Sequence, residues 1–163
     1  MSPLRPDLVA VWIYRRCGDG IEILVLRRAT GRLLPGLWQC VTGSLEPGER
    51  IAAGALREVR EETGVAPIDI EAFYDLDMVN FFHEPSIDGV YAEAVFALLV
   101  RDAAEPVISA EHDALRWVSL DEARRLIVWP AYRTAIDRIE ADLLDPERAA
   151  WFELTLDGAQ RVR

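Results

Sequence analysis

Apolar and polar positions recur with two periods along the chain, and the changes of period mark its elements. Residues 8–15 (LVAVWIYR) are β-branched and aromatic enough for a strand, Gly18-Asp19-Gly20 is a turn signal, and residues 21–26 resume the apolar run. That predicts a hairpin. Residues 29–36 read as a loop, and 37–42 (LWQCVT) as a short strand that delivers the chain to Gly43. After the Pro47-Gly48 turn the period becomes helical, with Ala52, Leu56, Val59 and Thr63 on one side and Gly64 placed as a C-cap. Ile68, Ile70, Leu76 and Met78 set against Asp69, Glu71, Asp75 and Asp77 predict a half-buried strand over 68–78. Pro85 and Gly89 interrupt the pattern, so residues 81–89 (FFHEPSIDG) read as a loop, and residues 90–100 form the most apolar strand. Ser119-Leu120-Asp121-Glu122 is a capping-box start for a helix to about Ile127. Pro130 opens a second helix over 131–144 with Ile136, Ile139 and Leu143 on one face, and 151–156 (WFELTL) suggests a terminal strand. Trp129, between the helices, either packs on the core or lines a pocket. The class is α/β, a mixed sheet between helices.

Composition narrows the setting. At 163 residues, 51% of them apolar, the chain can bury a full core as one domain without disulfides. Cys17 and Cys40 provide neither a disulfide framework nor a metal spacing, which fits a reduced, cytoplasmic compartment. The net charge of −10 argues against nonspecific nucleic-acid binding. The start, MSPLRPDL, is not a signal peptide, and no run approaches the ~20 apolar residues of a membrane span, so neither export nor a membrane partner is expected.

The chemistry is concentrated on the first helix. Glu58, Glu61 and Glu62 stand at i, i+3 and i+4, within an arc of roughly 100°. Like charges at that spacing destabilise a helix. A divalent cation explains the arrangement, because hard ions such as Mg²⁺ take carboxylate oxygens together with a substrate's phosphates. Such ions would also let a polyphosphate approach an acidic protein.

Gly43, five residues, Glu49, seven residues, and then Arg57 to Val65 (REVREETGV) match every fixed position of the Nudix box, so the chain resembles the Nudix hydrolases. The resemblance implies a Nudix fold, an α/β/α sandwich with a central mixed β-sheet, in one domain over 1–163 with the box at 43–65 and a C-terminal helix and tail at 131–163. It implies hydrolysis at a phosphorus of a nucleoside diphosphate derivative, with Mg²⁺, or alternatively Mn²⁺, as cofactor. Carried onto this sequence, Glu58 and Glu62 are the principal metal ligands. Glu61 completes the set or acts through a bound water, a backbone carbonyl at Thr42 or Gly43 contributes, and Glu49 holds Arg57. Val41-Thr42 replaces the Pro-Gly arrival common in the family, but a carbonyl ligand does not depend on side-chain identity.

Glu93 is a lone carboxylate in the most apolar strand, either at an edge position open to water or, if buried, costly unless paired or metal-bound. It resembles the extra glutamate that many Nudix hydrolases use as metal ligand or base, and the general base stays open among Glu58, Glu61 and Glu93. Arg27 and Arg28 are either phosphate contacts or a solvated strand end. Phe81 and Phe82 either stack on a ring or tuck into the core, and Trp38 joins the substrate-binding candidates. His112 and His83 are each an acid/base group or a structural histidine. Val41-Thr42-Gly43-Ser44, Glu93, Glu111-His112 and Trp117 together resemble the dihydroneopterin triphosphate and dATP pyrophosphohydrolases. That implies a small nucleotide or pterin triphosphate cleaved to monophosphate and pyrophosphate, with a homodimer left open. The alternatives are hydrolysis of ADP-ribose or a dinucleoside polyphosphate, whose proline and tyrosine markers are missing near Phe81 to His83, or a non-catalytic nucleotide-binding regulator. The intact glutamate set favours an enzyme.

Overall fold

Strand β1 (Leu8–Cys17) is buried on both sides from Val9 to Tyr14, and the sheet is built outward from it. The computed structural model describes residues 3–163; Met1 and Ser2, part of the span expected to form the domain, lie outside the described residues. β1 runs parallel to β6 (Gly89–Val100) and antiparallel to β2 (Gly20–Arg28) at one end and β4 (Val41–Ser44) at the other. β5 (Ile70–Glu84) pairs with β6, and β8 (Glu153–Leu154) closes the β5 edge. β3 (Trp38–Gln39) and β7 (His112–Ser119) both pair with β2, completing a mixed eight-stranded sheet.

The period of two along β1 assigns its side chains to two cores. Val9, Val11 and Ile13 pack with Ala55 and Val59 of helix α1 (Ile51–Thr63), while Ala10, Trp12 and Tyr14 share a cluster with Ala123 and Ile136. The latter two belong to α2 (Leu120–Leu126) and α3 (Pro130–Arg138). The result is the expected α/β/α sandwich. Its helix ends follow the predicted signals: Gly64 adopts φ 66° and returns its N–H to Arg60, and Ser119 accepts from the Glu122 N–H at 3.2 Å. A wide helical turn, Ile139–Leu143, extends α3 and is followed by the short α4 (Pro146–Ala149).

Several boundaries differ from expectation. The stretch 37–42 divides into β3 and β4 at Cys40, because the chain changes partner there from β2 to β1. Ile68 is exposed in a 3₁₀ turn, and β5 begins at Ile70. The predicted loop at 81–89 is largely strand: Phe81 pairs with Ala92 and Glu84 with Gly89, leaving only residues 85–88 as the turn. Pro85 marks the point beyond which no ladder N–H is needed. The ladder also contains a bulge between Asp75 and Met78, where Asp77 adopts φ 53° and Arg138 donates to the carbonyls of Leu76 and Asp77. The terminal strand contracts to Glu153–Leu154. No helix among the described residues is long and apolar enough to cross a membrane.

Candidate active site

Helix α1 and the turn before it are joined by Arg57. Its Nε and Nη2 donate to the two oxygens of Glu49 at 2.8 and 3.0 Å, and Nη2 also reaches the Ser44 carbonyl at 2.9 Å. Nη1 donates to Glu58 at 2.8 Å and to Glu61 at 3.1 Å. The guanidinium's hydrogen bonds hold the Glu49 carboxyl down to about 2. One rigid fork therefore ties residues 44–49 to the helix and orients two of the three box glutamates.

The approach of β4 to α1 requires Gly43. A Cβ there would lie 1.9 Å from Cδ of Glu58, so only a bare Cα leaves room for that carboxylate. Burial raises the pKa of Glu58. Glu62 is more extreme: it is 4% exposed, and its Oε2 has no hydrogen-bond partner. Burial first, then the charges of Glu111 and Glu58, push its carboxyl up to about 8, against the pull of the Thr42 backbone. His112 lies 3.9 Å from that oxygen, beyond hydrogen-bond reach, with both ring nitrogens unpartnered. Its pKa is lowered by burial and then by Arg28. Glu61 is the exposed member of the set, at 55%.

Among the described residues no three His, Cys, Asp or Glu side chains are drawn together as a preformed metal cluster. Glu58 and Glu61 instead share Arg57. The residues nevertheless fit a hard divalent cation: every donor is an oxygen, and one is a buried carboxylate oxygen with no donor of its own.

Glu93 is not brought to the box glutamates. It shares its sheet face with Val95 and Ala97, in the cluster beneath α2 and α3, whereas α1 covers the opposite face. It is 2% exposed, its Oε2 accepts from Asn80 Nδ2 at 3.0 Å and its Oε1 from the Tyr132 hydroxyl at 3.0 Å. Burial raises its pKa and those two hydrogen bonds oppose the rise; no box glutamate contributes. The expected extra metal ligand or base is thus a separately satisfied carboxylate.

A cavity of about 1010 Å³ joins the two regions, with Gly43, Thr42, Gln39, Asn80 and Glu93 in its lining. Its apolar lining comes from Leu33 and Leu34, from Phe81 and Phe82 at the end of β5, and from Trp129 before α3. Phe81 and Phe82 are 61% and 39% exposed, so neither tucks into the core. Arg28 lines the cavity; Arg27 and Trp38 do not. Adjacent strand residues point to opposite faces, and Arg27 pairs with Asp113 at 2.6 Å and lies over the Trp38 ring, which packs on the core. Glu111, which the sequence offered beside His112, adds its charge near Glu62, whereas Asn80 and Tyr132 were not singled out from the sequence. Their only signal is the register Asn80↔Glu93 and the return of α3, both tertiary facts.

Comparison with known proteins places this geometry in context. A family model described as the NUDIX domain matches residues 4–139. An octanoyltransferase from Myxococcus xanthus is 33% identical over 136 residues, which is 82% of this chain but 36% of that protein, so the chain spans about a third of that relative's length. The dihydroneopterin triphosphate diphosphatase of Escherichia coli K12 is 29% identical over 143 residues, 82% of this chain and 91% of that protein. The solved E. coli dihydroneopterin triphosphate pyrophosphohydrolase is similar at a TM-score of 0.69 and 27% identity, covering 82% of this chain and 94% of that one. A C. elegans Ap4A hydrolase, 19% identical with a TM-score of 0.73 over 86% of this chain and 98% of its own, shares the fold.

Proposed function

The chain belongs to the NUDIX domain family, and on that premise we propose that it is a pyrophosphohydrolase that cleaves a nucleoside or pterin triphosphate to the monophosphate and pyrophosphate, with Mg²⁺ or Mn²⁺. The observation that carries this proposal is Glu62, a buried carboxylate with an unpartnered oxygen that feels the charge of Glu58, whose own carboxylate sits against Gly43 in the cavity lining. Similarity over 91% of a dihydroneopterin triphosphate diphosphatase supports the triphosphate reading.

Glu58 and Glu62 would hold the cation, with a carbonyl at Thr42 or Gly43, and Glu61 would bind it directly or through water. When bound, the ion supplies charge neutralisation on the phosphates and a more acidic attacking water. Arg57, itself fixed by Glu49, keeps Glu58 and Glu61 in place. Arg28 offers positive charge to the phosphate chain, and Phe81 and Phe82 offer faces on which a ring can stack. The general base is Glu58 or Glu61, which α1 carries, whereas Glu93 lies on the opposite face of the sheet and is held there by Asn80 and Tyr132.

The test is a product-resolved hydrolysis screen with Mg²⁺ over dihydroneopterin triphosphate, the deoxynucleoside triphosphates, ADP-ribose and diadenosine polyphosphates. Glu62→Gln serves as control. Pyrophosphate release that the control abolishes is the expected result. Cleavage of ADP-ribose alone would overturn the triphosphate assignment, and ligand binding without any turnover would make the protein a regulator.

A further inference from the structure

Glu93 is a buried carboxylate with no part in the phosphate chemistry above. Its two oxygens each take one donor, from Asn80 on the neighbouring strand and Tyr132 on α3, and Tyr132 is itself packed edge-on against Trp12 at 5.7 Å. The group is therefore held in one orientation as an acceptor on both oxygens. An ionised carboxylate has about four acceptor positions, so each oxygen retains one.

Its surroundings are those of a site for a flat ring. Glu93 lines the same cavity as Gly43, and two residues along the same sheet face stand Tyr91 and its partner Phe82, with ring centroids 5.8 Å apart. Trp129 adds a third aromatic from a different element. Apolar walls with a few convergent buried polar groups are the form of a small-molecule site. Ser44 on β4 pairs with Leu8 on β1, which pairs with Glu93 on β6. Two strand spacings, ~10 Å, therefore separate the β4 backbone beside Glu58 from the β6 backbone at Glu93. That is the scale of the gap between a phosphate chain and the ring it carries.

We propose that Glu93 reads the heterocycle of the substrate, accepting two hydrogen bonds from an edge that presents a ring N–H beside an exocyclic amino group. The 2-amino-4-oxo-pyrimidine edge of guanine and of pterins has that pattern. This assignment rests on the triphosphate proposal for the same cavity. An adenine edge would set its ring nitrogen, an acceptor, against a carboxylate oxygen, and a thymine edge has no amino group. A site built to satisfy such donors rejects analogues that leave its buried acceptors unpaired.

The experiment compares kcat/KM for dGTP and dATP in the wild type and in Glu93→Gln, together with the Mg²⁺ concentration for half-activation. In a second arm, binding of dGMP and dAMP to the chelator-treated protein is measured by calorimetry. The dGTP to dATP ratio should fall at least thirtyfold in Glu93→Gln, Mg²⁺ half-activation should stay at the wild-type value, and the metal-free protein should lose its preference for dGMP. Equal loss on both nucleotides, or a shifted Mg²⁺ requirement, would return Glu93 to the hydrolytic machinery and overturn the assignment. If the wild type turns over no triphosphate, the proposed activity fails while the binding arm still decides: dGMP preference abolished in the variant supports Glu93 as the reader, and no preference overturns it. Should Glu93→Gln fail to fold, Tyr132→Phe, which frees one carboxylate oxygen, should lower the selectivity at least threefold; an unchanged ratio would overturn the assignment.

Discussion

Gly43→Ala tests whether the close approach of β4 to α1 exists to seat Glu58. The added methyl would meet Cδ of Glu58 at 1.9 Å, and ordinary contact at about 3.5 Å requires the carboxylate to retreat by about 1.6 Å. Gly43 is not among the residues with positive φ, so alanine introduces no backbone strain. The obstructed atoms are the end of a flexible side chain, so the fold should lose only about 1 kcal/mol, about 2–4 °C in thermal midpoint. A displacement of that size in a ligating group should cost on the order of 10²-fold in kcat. The assay is Mg²⁺-dependent pyrophosphate release alongside a thermal melt. In a Glu58→Gln background, Gly43→Ala should cost little more, because both changes act through one carboxylate. A Gly43→Ala enzyme within threefold of wild-type kcat would refute the reasoning, as would an undiminished loss in the Glu58→Gln background.

Three further outcomes follow from the same geometry. Glu49 is depressed from 4.5 to about 2, so its contribution to stability is present above pH 4.5 and lost as pH falls through about 2; the wild-type midpoint should drop more steeply over that window than that of Glu49→Gln. Glu62 is shifted the other way, from 4.5 to about 8, so in chelator its contribution is full below pH 4.5 and lost as pH rises through about 8; Glu62→Gln should remove that decline, and an unchanged slope in thermal melts would contradict the buried placement. Gly158, at φ 66°, holds the tail against α1: a Cβ there would lie 2.3 Å from the Ala52 Cβ and 3.2 Å from Phe73, so Gly158→Ala should cost about 2–4 kcal/mol, read by melting and by faster amide exchange at Leu154.

The box was legible because its interactions are local. Glu58, Glu61 and Glu62 share an arc through helical pitch alone, and Glu49 meets Arg57 through the short turn that begins the helix. The helix caps at Gly64 and Ser119 were legible for the same reason. The 81–89 segment was not, since its turn residues are confined to the tip and only pairing with β6 shows that Phe81 to Glu84 continue the strand. Arg27 and Arg28 looked alike as a basic pair, and strand parity sent only Arg28 to the cavity.

Glu93 marks the boundary between the two kinds of information. From the sequence alone, the period of the apolar strand and the cost of a lone charge showed that a carboxylate there must either face water at an edge or be satisfied by partners. Which groups satisfy it was decided by the register that sets Asn80 opposite and by the return of α3 that brings Tyr132 from 39 positions away. Helical pitch and strand period are properties of the local chain, so sequence determined the elements and the acidic face. Partners across strands and layers depend on which elements pack together, and only the tertiary structure decided that.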